Sequence, residues 1–161
     1  MHSVVLVPLP LLLLLLFLTP LTVSANFFQY FITAPTKPLY VAEVCSSPNA
    51  LAKNFAVTIS TSTPTKNENV TTTFDFDLDA PITGGTAYYA ATLNGFPFSS
   101  SSPLCDETAK TNDPCPLLAG HHQEVSTALN SITGKVVATI TWKDQAGSEI
   151  LCARITTKTT I

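Results

Sequence analysis

The chain has 161 residues, with eight Lys and Arg against eleven Asp and Glu, and a formal net charge of −3. No basic cluster is present to neutralise phosphates, so the composition argues against a protein that binds nucleic acid. Charged residues are sparse while Thr and Ser are abundant and helix formers are few, a composition typical of an all-β fold.

The first 25 residues have the layout of a secretory signal peptide. Residues 4–18 are apolar, and the small residues Val23 and Ala25 predict cleavage after Ala25. A membrane anchor is the alternative, but the unbroken apolar run covers only residues 11–18, whereas a spanning helix needs about 20 residues. The predicted mature chain is an extension of residues 26–37, whose role the sequence leaves open, followed by one domain of residues 38–161.

Four cysteines remain in the mature chain: Cys45, Cys105, Cys115 and Cys152. An even number of cysteines behind a secretion signal predicts two disulfides, although four cysteines allow three pairings. Asn69 begins an Asn-Val-Thr sequon, which fits a secreted glycoprotein and places this segment near the surface.

Period-two alternation predicts about seven strands, at residues 39–45, 54–60, 70–79, 86–93, 121–129, 135–142 and 149–157. Turn-forming residues separate them, and Gly147 is expected in the left-handed conformation of a hairpin loop. The Ser- and Pro-containing residues 94–103 are predicted to interrupt the strands as a loop. Short strands at this spacing favour a β-sandwich.

The stretch at residues 74–79, Phe-Asp-Phe-Asp-Leu-Asp, allows two interpretations. Alternate aspartates resemble the start of a calcium loop, but a loop of that type needs glycine at its sixth position and glutamate at its twelfth, where this chain has Ala80 and Thr86. A strand accounts for every residue, with Phe74, Phe76 and Leu78 inward and the aspartates in water. We therefore predict a strand.

Other polar groups give no sign of an enzyme, a metal site or a cofactor site. His121 and His122 point to opposite faces of a strand and cannot easily share an ion, so we expect solvated histidines. The serines at 99–102 lack a glycine elbow and an ordered His–Asp partner. Asp106 and Glu107 are predicted to be surface carboxylates beside a disulfide.

Large rings are numerous on the predicted inward faces. They fit an ordinary packed core, and they equally fit a core spread open around a ligand, because patterning does not separate the two.

The segment at residues 104–120, LCDETAKTNDPCPLLAG, resembles the cysteine loop of the ML (MD-2-related lipid-recognition) domain family. Two cysteines ten positions apart close the loop, with Pro116 and Gly120 after the second. Residues 84–93 and 132–155 are similar to the family's Gly-containing turn with its following strand and to its closing hairpin. Within the family, the likeness is greatest to the phosphatidylglycerol/phosphatidylinositol transfer proteins.

This resemblance implies an immunoglobulin-like antiparallel sandwich with a lipid cavity between its sheets, and the pairings Cys45–Cys152 and Cys105–Cys115. It implies a monomeric carrier of a phospholipid or sterol that is secreted or lies in the endolysosomal or vacuolar lumen. Such a carrier is expected to touch membranes only briefly, if it does so. The expected cavity residues are Phe55, Val57, Phe74, Phe76, Leu78, Tyr88, Phe96, Phe98, Val137, Ile140, Trp142 and Ile155. The alternative is a secreted immunoglobulin-like module with a solid core that binds protein or glycan.

Overall fold

The computed structural model describes residues 39–111, 113–131 and 133–159. The predicted signal peptide and the extension at residues 26–37 lie outside these ranges. The described residues form one short helix, α1 (Leu104–Ala109), and the following eight strands: β1 (Leu39–Val44), β2 (Ala52–Ile59), β3 (Asn69–Leu78), β4 (Gly85–Leu93), β5 (Phe96–Pro103), β6 (Gly120–Leu129), β7 (Gly134–Asp144) and β8 (Glu149–Thr159). No helix in the described ranges is long and apolar enough to cross a membrane.

The strands form two antiparallel sheets that pack as a sandwich. One sheet has five strands in the order β1-β8-β7-β4-β5, and the other has three in the order β2-β3-β6. β2 contacts both β1 and β8, so the smaller sheet is set toward that side of the larger one. The predicted immunoglobulin-like all-β sandwich is confirmed.

β3 carries the alternating stretch, and the strand interpretation is confirmed. Phe74, Phe76 and Leu78 are 7%, 0% and 4% exposed. Asp75 and Asp77 lie on the opposite face, where Asp77 accepts a hydrogen bond of 2.7 Å from Asn54 Nδ2 and lies 3.3 Å from His121 Nδ1. A strand that is buried on one face and wet on the other satisfies every residue of the pattern.

The prediction of a loop at residues 94–103 is wrong, because Phe96–Pro103 form the strand β5. Ser99 to Ser102 instead pair with Ala90 to Ala87 of β4. The turn between β4 and β5 is formed by Asn94 and Gly95, with φ of 51° and 90°. An Asn-Gly pair with positive φ at both positions is the strongest short hairpin signal, so the sequence encodes this hairpin at Asn94 and Gly95.

Both disulfides pair as the resemblance implied. Cys45 is joined to Cys152 across a separation of 107 residues, and Cys105 is joined to Cys115 across 10. The first ties the end of β1 to β8, and the second closes the segment that contains α1. The prediction for Gly147 is also confirmed, with φ of 84° in the turn between β7 and β8.

Candidate functional site

Two adjoining cavities lie between the sheets. The principal cavity has a volume of about 280 Å³, and Phe74, Ile140, Trp142 and Ile155 are among its apolar walls. A second cavity of about 210 Å³ shares Thr72, Ala128 and Ile155 with it and continues toward Tyr40. The other residues that line the principal cavity are Tyr89, Glu107, Lys110, Thr111, Glu124 and Ser126.

The cavities occur where inward-facing side chains are small. On β6, Ser126 lies opposite Thr72 and Ala128 lies opposite Val70. On β7, Ala138 takes the corresponding inward position of the larger sheet and lines the second cavity. Short side chains on both sheets cannot meet across a separation of about 10 Å, so the space between the sheets stays unfilled here, and Ser126 and Ala128 are exposed. We call this part of the interior the hollow half.

The aromatic side chains meet in the other part of the interior, which we call the packed half. Ring centroids of Phe74 and Trp142 are 5.9 Å apart, and those of Phe76 and Trp142 are 6.2 Å apart. Leu104 from α1 and Leu117 from the cysteine loop are fully buried in the same cluster. These contacts close the sandwich on the side of the Cys105–Cys115 loop.

The twelve residues predicted to line a cavity therefore divide into groups. Four of them, Phe74, Ile140, Trp142 and Ile155, lie in the wall of the principal cavity. Another four, Phe55, Val57, Phe76 and Leu78, belong to the packed cluster or pack against it. The remaining four lie elsewhere and correct the predicted arrangement.

Tyr88 and Val137 were assigned to the wrong face. Tyr88 pairs with Thr141 of β7, is 45% exposed and lies 5.8 Å below the Lys143 ammonium, while its neighbour Tyr89 lines the principal cavity. Val137 lines a depression with Thr139 and Arg154, on the sheet face opposite to that of Ile140. A shift of one residue in a strand reverses the face, and adjacent apolar residues give no signal to choose between the two registers.

Phe96 and Phe98 are 78% and 57% exposed rather than enclosed. They pair with Leu93 and Ala91 of β4, so their register directs them to the inner face of the larger sheet. β5 is its edge strand, however, and the three-stranded sheet is set toward the opposite edge at β1 and β8. The inward direction was correct, but no second layer covers these rings.

A polar group that the sequence did not predict lies at the α1 end of the principal cavity. Glu107 Oε1 accepts hydrogen bonds of 2.7 Å from both Ser102 Oγ and Lys110 Nζ. Burial opposes ionisation of Glu107, but the bonds from Lys110, Ser102 and Tyr89 outweigh it and lower the pKa of this carboxyl. Burial and the neighbouring Glu107 raise the pKa of Tyr89 to about 12, so its hydroxyl keeps its proton.

His122 is buried, which corrects the expectation of a solvated side chain. It is 7% exposed, and its ring stacks on Phe76 with centroids 5.3 Å apart. Nε2 donates to the Leu118 carbonyl at 2.7 Å, and Nδ1 is 2.6 Å from Asp113 Oδ2. Burial disfavours the charged ring, but the bonds to Asp113 and Leu118 outweigh it and raise the pKa of His122. The ring thus fastens the cysteine loop to β6.

Glu124 lies two residues further along β6, faces inward beside Phe74 and is 4% exposed. Burial, followed by the nearby Asp113 carboxyl, raises the pKa of Glu124 to about 8, against a smaller opposing effect of His122. Its side chain is therefore predominantly protonated at neutral pH. The inward orientation of Glu124 is not predictable from the sequence pattern. The large apolar residues of β6, Val125 and Leu129, face outward and are 42% and 54% exposed.

These features define a class of protein: an immunoglobulin-like sandwich with an apolar cavity between its sheets and a few polar groups at one end. The family model for the ML domain matches residues 40–159. The chain belongs to the ML-domain family.

Two solved structures are similar to the chain. Chicken MD-1, complexed with lipid IVa, shares 17% identity over 78% of this chain and 92% of its own, with a TM-score of 0.56. A Niemann-Pick type C2 protein from the Japanese carpenter ant shares 16% identity over 72% of this chain and 96% of its own, with a TM-score of 0.53. At these identities the likeness is one of fold. Among curated proteins, no sequence matches the chain at a significant level.

Proposed function

We propose that the protein binds a lipid in the space between its sheets and carries it between membranes. The observation that supports this most is the apolar principal cavity, of about 280 Å³, within an ML-domain fold. With the adjoining second cavity, the space falls in the usual range of ligand pockets, roughly 300–1,000 Å³. Chicken MD-1 in complex with lipid IVa supports a lipid as the class of ligand.

Binding in this proposal involves no bond-making or bond-breaking. Each methylene that leaves water for the apolar walls contributes about 0.8 kcal/mol. The acyl or ring portion of a phospholipid or sterol would lie against Phe74, Ile140 and Ile155. A monomer is sufficient, because one chain supplies the whole cavity lining.

The exposed rings of β5 supply a surface for brief membrane contact. Phe96 and Phe98 protrude from the edge strand beside Leu93, which is itself 36% exposed. Exposed apolar patches on soluble proteins commonly mark such contact surfaces. We propose that they touch a bilayer during lipid exchange, in a secreted or endolysosomal or vacuolar setting where two disulfides persist.

Native mass spectrometry of the chain secreted from a eukaryotic host tests the proposal. A lipid adduct is expected on a monomer that lacks residues 1–25, and the same spectrum reports whether Asn69 carries a glycan. Lipid-free extracts, together with failure of the delipidated protein to bind either a fluorescent fatty acid or a fluorescent sterol, would contradict lipid binding and favour an interaction module.

Vesicle-to-vesicle transfer of a fluorescent lipid tests the membrane contact separately. Phe96→Ser with Phe98→Ser should slow transfer while equilibrium lipid binding stays unchanged. Val125→Ser, at an exposed apolar position on the other sheet, serves as the matched control. Equal transfer rates for the double variant and the control would exclude the β5 surface.

A further inference from the structure

Two residues that line the principal cavity carry buried polar atoms with no hydrogen-bond partner. They are Glu124, through both carboxyl oxygens, and Trp142, through Nε1, among the residues that the structure describes. Glu124 belongs to β6 and Trp142 to β7, so the two sheets each contribute one of them. Buried polar groups are nearly always paired, and an unpaired one calls for an explanation.

Phe74 connects the two groups in space. It lies opposite Glu124 in the pairing of β3 with β6, and its ring centroid is 5.9 Å from that of Trp142. All three residues are in the wall of the same cavity. A ligand that packs on Phe74 is therefore within short reach of both polar side chains.

The two side chains offer complementary hydrogen bonds. The indole Nε1–H of Trp142 is a donor only. Burial raises the pKa of Glu124 to about 8, so this carboxyl is protonated at neutral pH. Its carbonyl oxygen is then an unpaired acceptor. One donor and one acceptor match a hydroxyl group, which accepts one bond and donates another.

Charge at the cavity favours an uncharged ligand group. Lys110 is the one Lys or Arg in the described lining of the principal cavity, and its ammonium is paired with Glu107 at 2.7 Å. His122 is held by Asp113 and Leu118. A phosphate or carboxylate would have to compete with these pairings and would face the carboxyls of Glu107 and Glu124. A hydroxyl meets no such opposition.

We propose that Glu124 and Trp142 form an interior subsite for the hydroxyl group of an uncharged lipid, such as a long-chain or ring alcohol. This inference rests on the proposed function, because it presumes a lipid in the cavity. Neighbouring atoms cover both polar groups, so the hydroxyl reaches them after side-chain rotations of the kind that are common on binding. The same cover keeps water from competing for them.

A ligand-and-variant cycle tests the subsite. 1-Hexadecanol and hexadecane are compared for displacement of N-phenyl-1-naphthylamine from the delipidated full chain and its variants. Trp142→Phe removes the N–H and retains a ring, and Glu124→Leu removes the carboxyl. Each should weaken the alcohol relative to the alkane by about tenfold, as expected for one lost hydrogen bond. Glu124→Gln keeps a carbonyl acceptor and should retain most of the preference.

The outcomes separate the two proposals. If neither the alcohol nor the alkane displaces the probe, lipid binding in this cavity is wrong. If both displace it and the ratio of their affinities is the same in the native chain, Trp142→Phe and Glu124→Leu, lipid binding stands and the subsite is overturned. Tighter binding of hexadecanoate than of hexadecanol at pH 7 would overturn the preference for an uncharged group. The two variants are independent, so one that folds is sufficient.

Discussion

The packed half and the hollow half of the interior lie on the same strands and differ in the size of their inward side chains. On β3 the sequence changes from Val70 and Thr72 in the hollow half to Phe74, Phe76 and Leu78 in the packed half. On β6 the change runs from Ala128 and Ser126 to Glu124 and His122. Cavity walls appear at the small residues and at the boundary between the halves.

This difference shows that large rings do not themselves indicate a cavity. Phe76 and Trp142 fill space, whereas Ser126, Ala128 and Ala138 leave it open. Unfilled volume destabilises by about 24 cal/mol per Å³, so the principal cavity of about 280 Å³ alone costs up to about 7 kcal/mol. Packing in the packed half and the Cys45–Cys152 disulfide must offset that cost if the protein without lipid is to remain folded.

Loss of the Cys45–Cys152 disulfide should have the largest effect on stability. Cys152 lies between the fully buried Leu151 and Ala153 of the packed half. In the chain-entropy model a closed loop of this length contributes about 4–5 kcal/mol, so Cys45→Ala with Cys152→Ala should lower the free energy of unfolding by that amount. Urea unfolding followed by tryptophan fluorescence measures it.

The second disulfide provides the matched control for the first. Cys105→Ala with Cys115→Ala opens a loop of only 10 residues, for which the same model gives about 2.7 kcal/mol. A smaller loss than for the long loop is therefore expected. Equal losses would mean that strain or local packing, rather than loop length, determines the contribution.

Truncation in the packed half should be the next largest effect. Phe76 is fully buried and contacts Phe55, Trp142 and His122 through its ring. Phe76→Ala should lower the free energy of unfolding by about 3–5 kcal/mol, and Phe76→Asp should prevent folding or lipid uptake. Asp77→Ala, one position along on the wet face, should change little. Similar losses for Phe76→Ala and Asp77→Ala would contradict the assignment of faces on β3.

Much of the fold was predictable because it depends on local signals. Alternation on β3 and the turn at Gly147 each follow from a few neighbouring residues. β5 was missed although Asn94 and Gly95 encode its turn, since the serines that follow have little strand propensity. Pairing with β4 overrides that propensity, which is a tertiary effect.

The site was less predictable because a cavity is defined by residues that are distant in sequence. Tyr88 and Tyr89 are chemically identical, and only pairing with β7 decides that Tyr89 faces inward. Glu124 lies on the inward face of β6 together with His122 and Ser126. The apolar residues Val125 and Leu129 lie on the outward face, so the apolar pattern of β6 predicts the wrong face. Small inward residues such as Ala128 are the informative signal, but recognising them requires the register of both sheets.

Filling the hollow half should affect binding more than stability. Ala128 lines both cavities and has room for a larger side chain. Ala128→Phe should weaken binding of a fluorescent fatty acid or sterol at least about tenfold, roughly 1.4 kcal/mol, while the free energy of unfolding changes by less than it does for Phe76→Ala. Fluorescence titration and urea unfolding of the same samples provide both numbers.

Thr127→Phe is the control for this substitution, because Thr127 adjoins Ala128 but lies on the outer face, where its hydroxyl pairs with Thr71 at 3.0 Å. It should leave binding unchanged. Reduced binding in both variants would mean that a bulky substitution anywhere on β6 disturbs binding, and that filling the cavity is not the reason. Unchanged binding in Ala128→Phe would mean that lipid does not occupy the hollow half.

The smallest effect should come from pH, through the two titrating groups at the boundary between the halves. Glu124 has its pKa raised from 4.5 to about 8 in the folded chain, so the folded state holds its proton more tightly than the unfolded state. The pKa of His122 is also raised from its ordinary 6.5. For both groups the stabilisation is present below the unfolded pKa and is lost as pH rises through the folded one. Stability should therefore fall between pH 5 and 9.

Thermal unfolding at a series of pH values between 5 and 9 measures how steeply the Tm depends on pH. We expect the Tm of the native chain to fall by about 5 °C, the effect of roughly 1 kcal/mol in a domain of this size. Glu124→Gln, which cannot ionise, should flatten the fall in stability between about pH 5 and pH 8, and His122→Gln should flatten the part just above pH 6.5. The exposed carboxyls Asp77 and Glu68 have lowered pKa values and act in the opposite direction, but only below their ordinary range. A native Tm that rises from pH 5 to 9, or an unchanged slope in both variants, would show that the boundary between the packed and hollow halves does not titrate as its buried contacts require.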